Sequence, residues 1–111
     1  MPSVTYRLFR KAILAKQQIV CTYHGRNREL CPHVLGTNKD GQEAVLAWQF
    51  AGQSGGALPE WRCLRLAEVA SAQAREGSWH SGRAHRSQQR CITAIDVDVN
   101  VDRPKKPLVS E

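Results

Sequence analysis

Residues 19–50 read IVCTYHGRNRELCPHVLGTNKDGQEAVLAWQF. Three runs rich in β-branched and aromatic residues, IVCTYH, ELCPHVLG and EAVLAWQF, are separated by the turn signals GRN and NKDG. Apolar runs of this length bounded by Gly, Asn and Asp read as strands. Asp40-Gly41 between two of them is a strong hairpin signal. Pro32 cannot donate a hydrogen bond to a strand ladder, so it calls for an edge position or a bulge. The stretch therefore predicts antiparallel strands joined by hairpins.

Upstream, residues 5–17 (TYRLFRKAILAKQ) contain no Gly or Pro. Tyr6, Phe9, Ala12 and Ile13 fall on one face, and Arg7, Arg10, Lys11 and Lys16 take most of the rest. That pattern predicts one amphipathic helix of about three turns, capped by Ser3 or Thr5. A single helix does not make a helix-turn-helix. Downstream, AGQSGGALP (51–59) reads as a long loop, a hinge or lid, and EWRCLRL (60–66) as a fourth strand. AEVASAQ either continues that strand or makes a short helical turn. Residues 75–90 (REGSWHSGRAHRSQQR) form a polar excursion that is ordered only if Trp79 docks. Residues 91–102 (CITAIDVDVNVD) alternate cleanly. Ile95, Val97, Val99 and Val101 point one way; Asp96, Asp98, Asn100 and Asp102 point the other, as solvated, edge-protecting acids. The expected fold is mainly β: a small, strongly bent, five-stranded antiparallel barrel with an N-terminal amphipathic helix. Residues 1–103 make a single domain and 104–111 a loose tail.

The chain has 111 residues, 41% hydrophobic and 23% charged, which excludes a disordered chain and fits one modest core. No apolar run approaches the roughly 18–20 residues needed to span a bilayer. The N-terminus is too interrupted by charge to be a secretory signal, so a cytoplasmic address is expected. The net charge is +6. Residues 1–28 hold Arg7, Arg10, Lys11, Lys16, Arg26 and Arg28 with no acid, and residues 75–90 hold four arginines against Glu76 alone. Two basic zones would concentrate an anionic partner. Cys21, Cys31, Cys63 and Cys91 form no CxxC pair and lie within strand-like runs, so they read as reduced core residues and not as a disulfide framework.

Tyr23 in VCTYHGR, Arg28 to Pro32 in RELCP, the PHVLG that follows, the strand EAVLAWQF and the strand WRCLRLAEV occur in an order that resembles the WYL domain family over about residues 8–70. The positions of the family's naming tripeptide hold Glu43, Ala44 and Val45, and those of its usual Asp-Arg pair hold Ala67 and Glu68. The resemblance implies an Sm-like β-barrel. It also implies a regulatory, sensing role, with a nucleotide-type ligand or single-stranded nucleic acid bound on a basic and aromatic face.

The candidate ligand-binding residues are Tyr23, Arg28, His33, Arg62 and Arg65, with Tyr23 and Trp48 as stacking surfaces. Guanidinium groups bind phosphate in a bidentate way, and aromatic faces stack on bases. Strand alternation sets Arg62 with Leu64 and Leu66, and Arg65 with Trp61 and Cys63, so the two arginines point to opposite faces. Trp48 shares a face with Ala44, Leu46 and Phe50 and reads as core. There is no GxSxG, HExxH or P-loop, so no enzyme, no metal and no cofactor are expected. The expected partner is an anionic small molecule or single-stranded nucleic acid. The alternatives are a structural interaction domain that forms a homo-oligomer and, least favoured, a metal-dependent enzyme built on His80 and His85 with His24, His33 and the cysteines.

Overall fold

A computed structural model describes residues 2–53, 58–80 and 91–99. The order of elements is α1 (Val4–Ala15), β1 (Gln18–Tyr23), β2 (Arg26–Thr37), β3 (Glu43–Gly52), β4 (Glu60–Arg65), a 3-10 turn (Leu66–Glu68), β5 (Val69–Arg75) and β6 (Ala94–Asp98). The loop segment 54–57 and most of the 75–90 excursion lie outside the described residues, as do Val101, Asp102 and the tail.

The helix begins where the Ser3 hydroxyl accepts a hydrogen bond from the Tyr6 backbone N–H at 3.0 Å. It ends at Lys16, whose left-handed backbone lets its N–H reach the carbonyls of Ala12 and Ile13. Tyr6, Phe9, Ala12 and Ile13 are its buried face, as their spacing requires.

β1 and β2 meet at a two-residue turn, His24-Gly25, with Tyr23 opposite Arg26. Both turn residues have positive φ, 52° and 76°, the twist that suits a tight hairpin. The turn therefore closes earlier than the GRN signal suggests, and Arg28 sits inside the strand. The second hairpin is held by the Asn38 side chain, whose Oδ1 accepts from the N–H groups of Asp40 and Gln42.

β2 is the centre of the sheet. The hydrogen-bonded path runs β4-β3-β2-β1-β5, all antiparallel, and β6 pairs with the far half of β2. AEVASAQ does not continue β4: it makes the short helical turn and then a separate strand, β5, along β1. The sheet thus has six strands where five were expected. Among the described residues its ends, β4 and β5, are joined by the 3-10 turn and not by a ladder, so the expected closed barrel appears as an open, strongly connected sheet.

The register shifts between Pro32 and Val34, where two residues of β2 advance against one of β3. Pro32 is thus accommodated by a bulge inside a central strand, one of the two outcomes its chemistry allowed. The bulge exchanges the faces of β2. Leu30 before it and Leu35 after it both enter the main core with Phe9, Ile13, Ile19, Val45, Ala47, Leu64 and Leu66. Val34 joins a second cluster on the opposite face with Ala44, Leu46 and Ile92. Both faces of β3 are therefore buried, and the face bearing Ala44, Leu46 and Trp48 covers the smaller of two cores.

β6 is shorter than the alternating run. Its ladder shifts between Leu35 and Gly36, which pair with Val97 and Ile95. The bulge breaks the expected alternation: Val97 is buried while Ile95 is exposed. Asp96 is not merely solvated, because it accepts a hydrogen bond from the Tyr6 hydroxyl at 2.7 Å and pairs with Arg10.

The cysteines require a correction. Cys21 and Cys31 are free and buried, as expected, but Cys63 and Cys91 form a disulfide. Their spacing of 28 residues carries no signature; the fold brings the start of the β6 segment onto β4. No helix among the described residues is long and apolar enough to cross a membrane.

Two stability changes follow. Cys63→Ser should cost about 2–4 kcal/mol in denaturant unfolding under oxidising conditions, by releasing a long loop. Equal midpoints for wild type with and without reductant would show that the bond contributes nothing. A Cβ on Gly36 would lie 2.0 Å from the Ala94 carbonyl oxygen, so Gly36→Ala should cost more than about 2 kcal/mol by parting β2 from β6. An unchanged thermal midpoint would contradict that contact.

Candidate functional site

Arg28 lies where three strands converge, opposite Cys21 of β1 and Gly52 of β3. Gly52 has φ 97°, and a Cβ there would come within 2.5 Å of the Asn27 carbonyl oxygen. Only glycine lets β3 approach β2 this closely. Arg28 shares the inner face with Leu30 and is 6% exposed, a burial rare for arginine.

Its hydrogen bonds are all to neutral groups. Nη1 donates to Gln49 Oε1 at 3.1 Å, and Nη2 donates to the Tyr23 carbonyl at 3.4 Å. The guanidinium carbon lies 5.5 Å from the centre of the Tyr23 ring, within cation–π range. Nε has no partner among the described residues. No described carboxylate forms an ion pair with Arg28. Cys21, directly across, supplies no negative charge either, since burial pushes its thiol up to about 11.

Gln49 is fully buried, and its amide nitrogen donates to the carbonyls of Ala51 and Gln53. This fixes the orientation of the amide and turns its oxygen toward Arg28. Gln53 in turn accepts from the Asn27 N–H. The end of β3 is thereby stitched to the β1–β2 hairpin, and Arg28 is held in place by groups that do not neutralise it.

β4 contributes the second cation. Arg62 stands opposite Ala47, and Glu60 opposite Gln49, so both project from the inner face. Arg62 pairs with Glu60. Burial first, then the positive charges of Arg62 and Arg26, lower the Arg28 pKa from its ordinary value. An arginine nevertheless stays charged. One end of the inner face thus gathers positive charge against a single carboxylate, Glu60, among the described residues. Such an arrangement can hold an anion.

Of the five expected residues, Tyr23, Arg28 and Arg62 come together. Tyr23 is buried, stacks on His24 at 4.1 Å, and its hydroxyl accepts from the Arg65 N–H. It is thus a wall of the site and not an open stacking surface. Arg65 does not join them: it stands opposite Ala44 on the other face and pairs with Glu68 at 2.7 Å. His33 does not join them either. It sits in the β2 bulge on the far face, fully buried, with Nδ1 at 2.7 Å from the Cys31 carbonyl and its ring 4.9 Å from both Trp61 and Trp79. Trp79 therefore docks on the His33 ring. Trp48 packs against Trp61 at 5.0 Å on that same face.

Gln49 and Glu60 escaped the sequence reading. Gln49 could have been found, because it shares the Val45–Ala47 face and so places an amide among apolar neighbours. Glu60 could have been found as well, because it stands two residues before Arg62 and alternation puts both on one face of the strand. Among the described residues no three His, Cys, Asp or Glu side chains gather as metal ligands; His24 is paired with Glu68, Cys63 and Cys91 are bonded to each other, and His85 lies outside the described residues.

No protein-family model, no curated protein and no solved structure matches this chain.

An uncompensated buried cation adds little to stability when its replacement packs well. In ligand-free protein Arg28→Met should therefore cost less than about 1 kcal/mol, whereas Leu30→Ala on the same face should cost about 2–5 kcal/mol. Urea unfolding compares them. A loss at Arg28→Met as large as that at Leu30→Ala would make the guanidinium a structural group.

Proposed function

We propose that this chain is a non-catalytic binding module of Sm-like barrel type that takes an anionic ligand at Arg28 and Arg62. The observation that carries this reading is Arg28 itself: an arginine more than nine-tenths buried, with its Nε buried and unpartnered among the described residues and no described carboxylate against it. Burying a charge is costly unless something compensates it. A bound anion supplies that compensation. The resemblance to the WYL family supports the same reading, since Tyr23 and Arg28 belong to the stretches that carry it. The barrel assignment draws support from the chain path: β4 passes through a 3-10 turn into β5 alongside β1, and the Tyr23 hydroxyl of β1 bonds the backbone of β4.

The ligand class is a nucleotide or a single-stranded nucleic acid, read from the guanidinium pair and from the resemblance. The proposed setting is regulatory. A cytoplasmic address remains part of the proposal, and the Cys63–Cys91 disulfide weighs against it, because such bonds persist in oxidising compartments.

A second reading rests on a different surface. Val4, Leu14 and Ile95 are large exposed apolar residues, and Leu14 lines a groove with Arg7, Arg10, Lys11 and Asp96. That patch supports a self-associating interaction domain. Sedimentation over a wide concentration range separates the two: an unchanging monomer mass removes the second reading.

For the first, binding of nucleotides and short single strands should weaken steeply with salt. Arg28→Gln and Arg62→Gln should each weaken it about tenfold or more, while Arg65→Gln should leave it nearly unchanged. Equal losses at all three arginines would point to diffuse surface charge in place of this site.

A further inference from the structure

Glu60 is the one described carboxylate in the cluster, and it occupies Arg62. It stands directly across from Gln49, the residue that receives the Arg28 guanidinium. Its side chain is 42% exposed, so it can leave Arg62 for water with little desolvation.

We propose that Glu60 is a resident competitor of the ligand, and that the site selects the terminal phosphate of a phosphate monoester over the diester backbone of a nucleic acid. The proposal rests on the reading of Arg28 and Arg62 as an anion site and goes one step further. With Glu60 on Arg62, Arg28 is the unneutralised cation. A diester phosphate carries one negative charge. It can satisfy Arg28, but taking Arg62 as well would only exchange one monoanion for another. A monoester dianion carries a second charge above its second pKa of about 6. It satisfies Arg28 and Arg62 together and releases Glu60 to solvent. The extra charge-assisted hydrogen bonds are made by the dianion alone. The carboxylate thus weakens binding of both esters, the second charge of the monoester repays its release, and the favoured ligand is a free nucleotide or another phosphomonoester.

Calorimetric titration of the full chain with methyl phosphate and dimethyl phosphate at pH 8 tests this. Wild type should bind methyl phosphate about tenfold tighter than dimethyl phosphate. Glu60→Gln should tighten methyl phosphate about threefold or more and dimethyl phosphate by no more than that, because only the monoester has to displace the carboxylate, so that the ratio does not narrow. Glu60→Ser, with a shorter side chain, should behave alike and guards against a folding defect in one variant. Equal affinity for the two esters in wild type, or variants that bind no tighter than wild type, overturns the role of Glu60 while leaving the anion site standing. Failure of both esters to bind any of the proteins overturns this proposal and the anion-site reading with it.

Discussion

Everything in this fold turns on the extra residue that β2 carries at Pro32–Val34. β2 pairs on one side with β3 along its length, and on the other with β1 and then β6. A strand so placed must satisfy neighbours on both edges and both faces. Strict alternation would send Leu30 and Leu35 to opposite sides; the bulge sends both to the main core. It also turns Val34 toward the second face, beside Cys31 and His33, where Trp61, Trp79, Ile92 and the disulfide gather. A proline without an N–H is tolerated there because a bulge has already interrupted the ladder.

The two faces do different work. The inner face is apolar beneath the helix and becomes polar toward the β1–β2 turn, where Arg28, Gln49, Arg62 and Glu60 meet. The outer face is aromatic and cross-linked, and it anchors the segments around Ser78–His80 and Cys91–Ile92. Gln49 is the pivot between the two faces: its amide ties the β3 end to the hairpin, and its oxygen is what remains to receive Arg28. A neutral acceptor orients a guanidinium without discharging it, which is what an anion site needs in its empty state.

Much of the fold is legible in residues alone. The helix face from Tyr6 to Ile13 and the hairpin at Asp40-Gly41 follow from local rules, helical period and turn chemistry, which act within a few residues. Tyr23 and Arg28, both among the expected site residues, were found to be neighbours. His33 and Arg65 were not: each is chemically suited to an anion, and each lies on the wrong face. For Arg65 the alternation already said so. For His33, five residues from Arg28 on the same strand, alternation said so too, and the bulge at Pro32–Val34 left it there.

What the sequence determined by itself is therefore the local vocabulary: a basic amphipathic helix, antiparallel strands, and arginines of opposite facing on β4. Tertiary structure alone decided the partners. The Cys63–Cys91 bond, the burial of Arg28 with no described carboxylate against it, and the placing of Gln49 and Arg62 beside it all depend on contacts between residues far apart in the chain. Spacing cannot encode such contacts, because register between strands is set by the packing of whole faces and shifts by a residue wherever a bulge occurs. A one-residue shift in β2 or β4 would have moved a guanidinium from the interior to solvent, and with it the site.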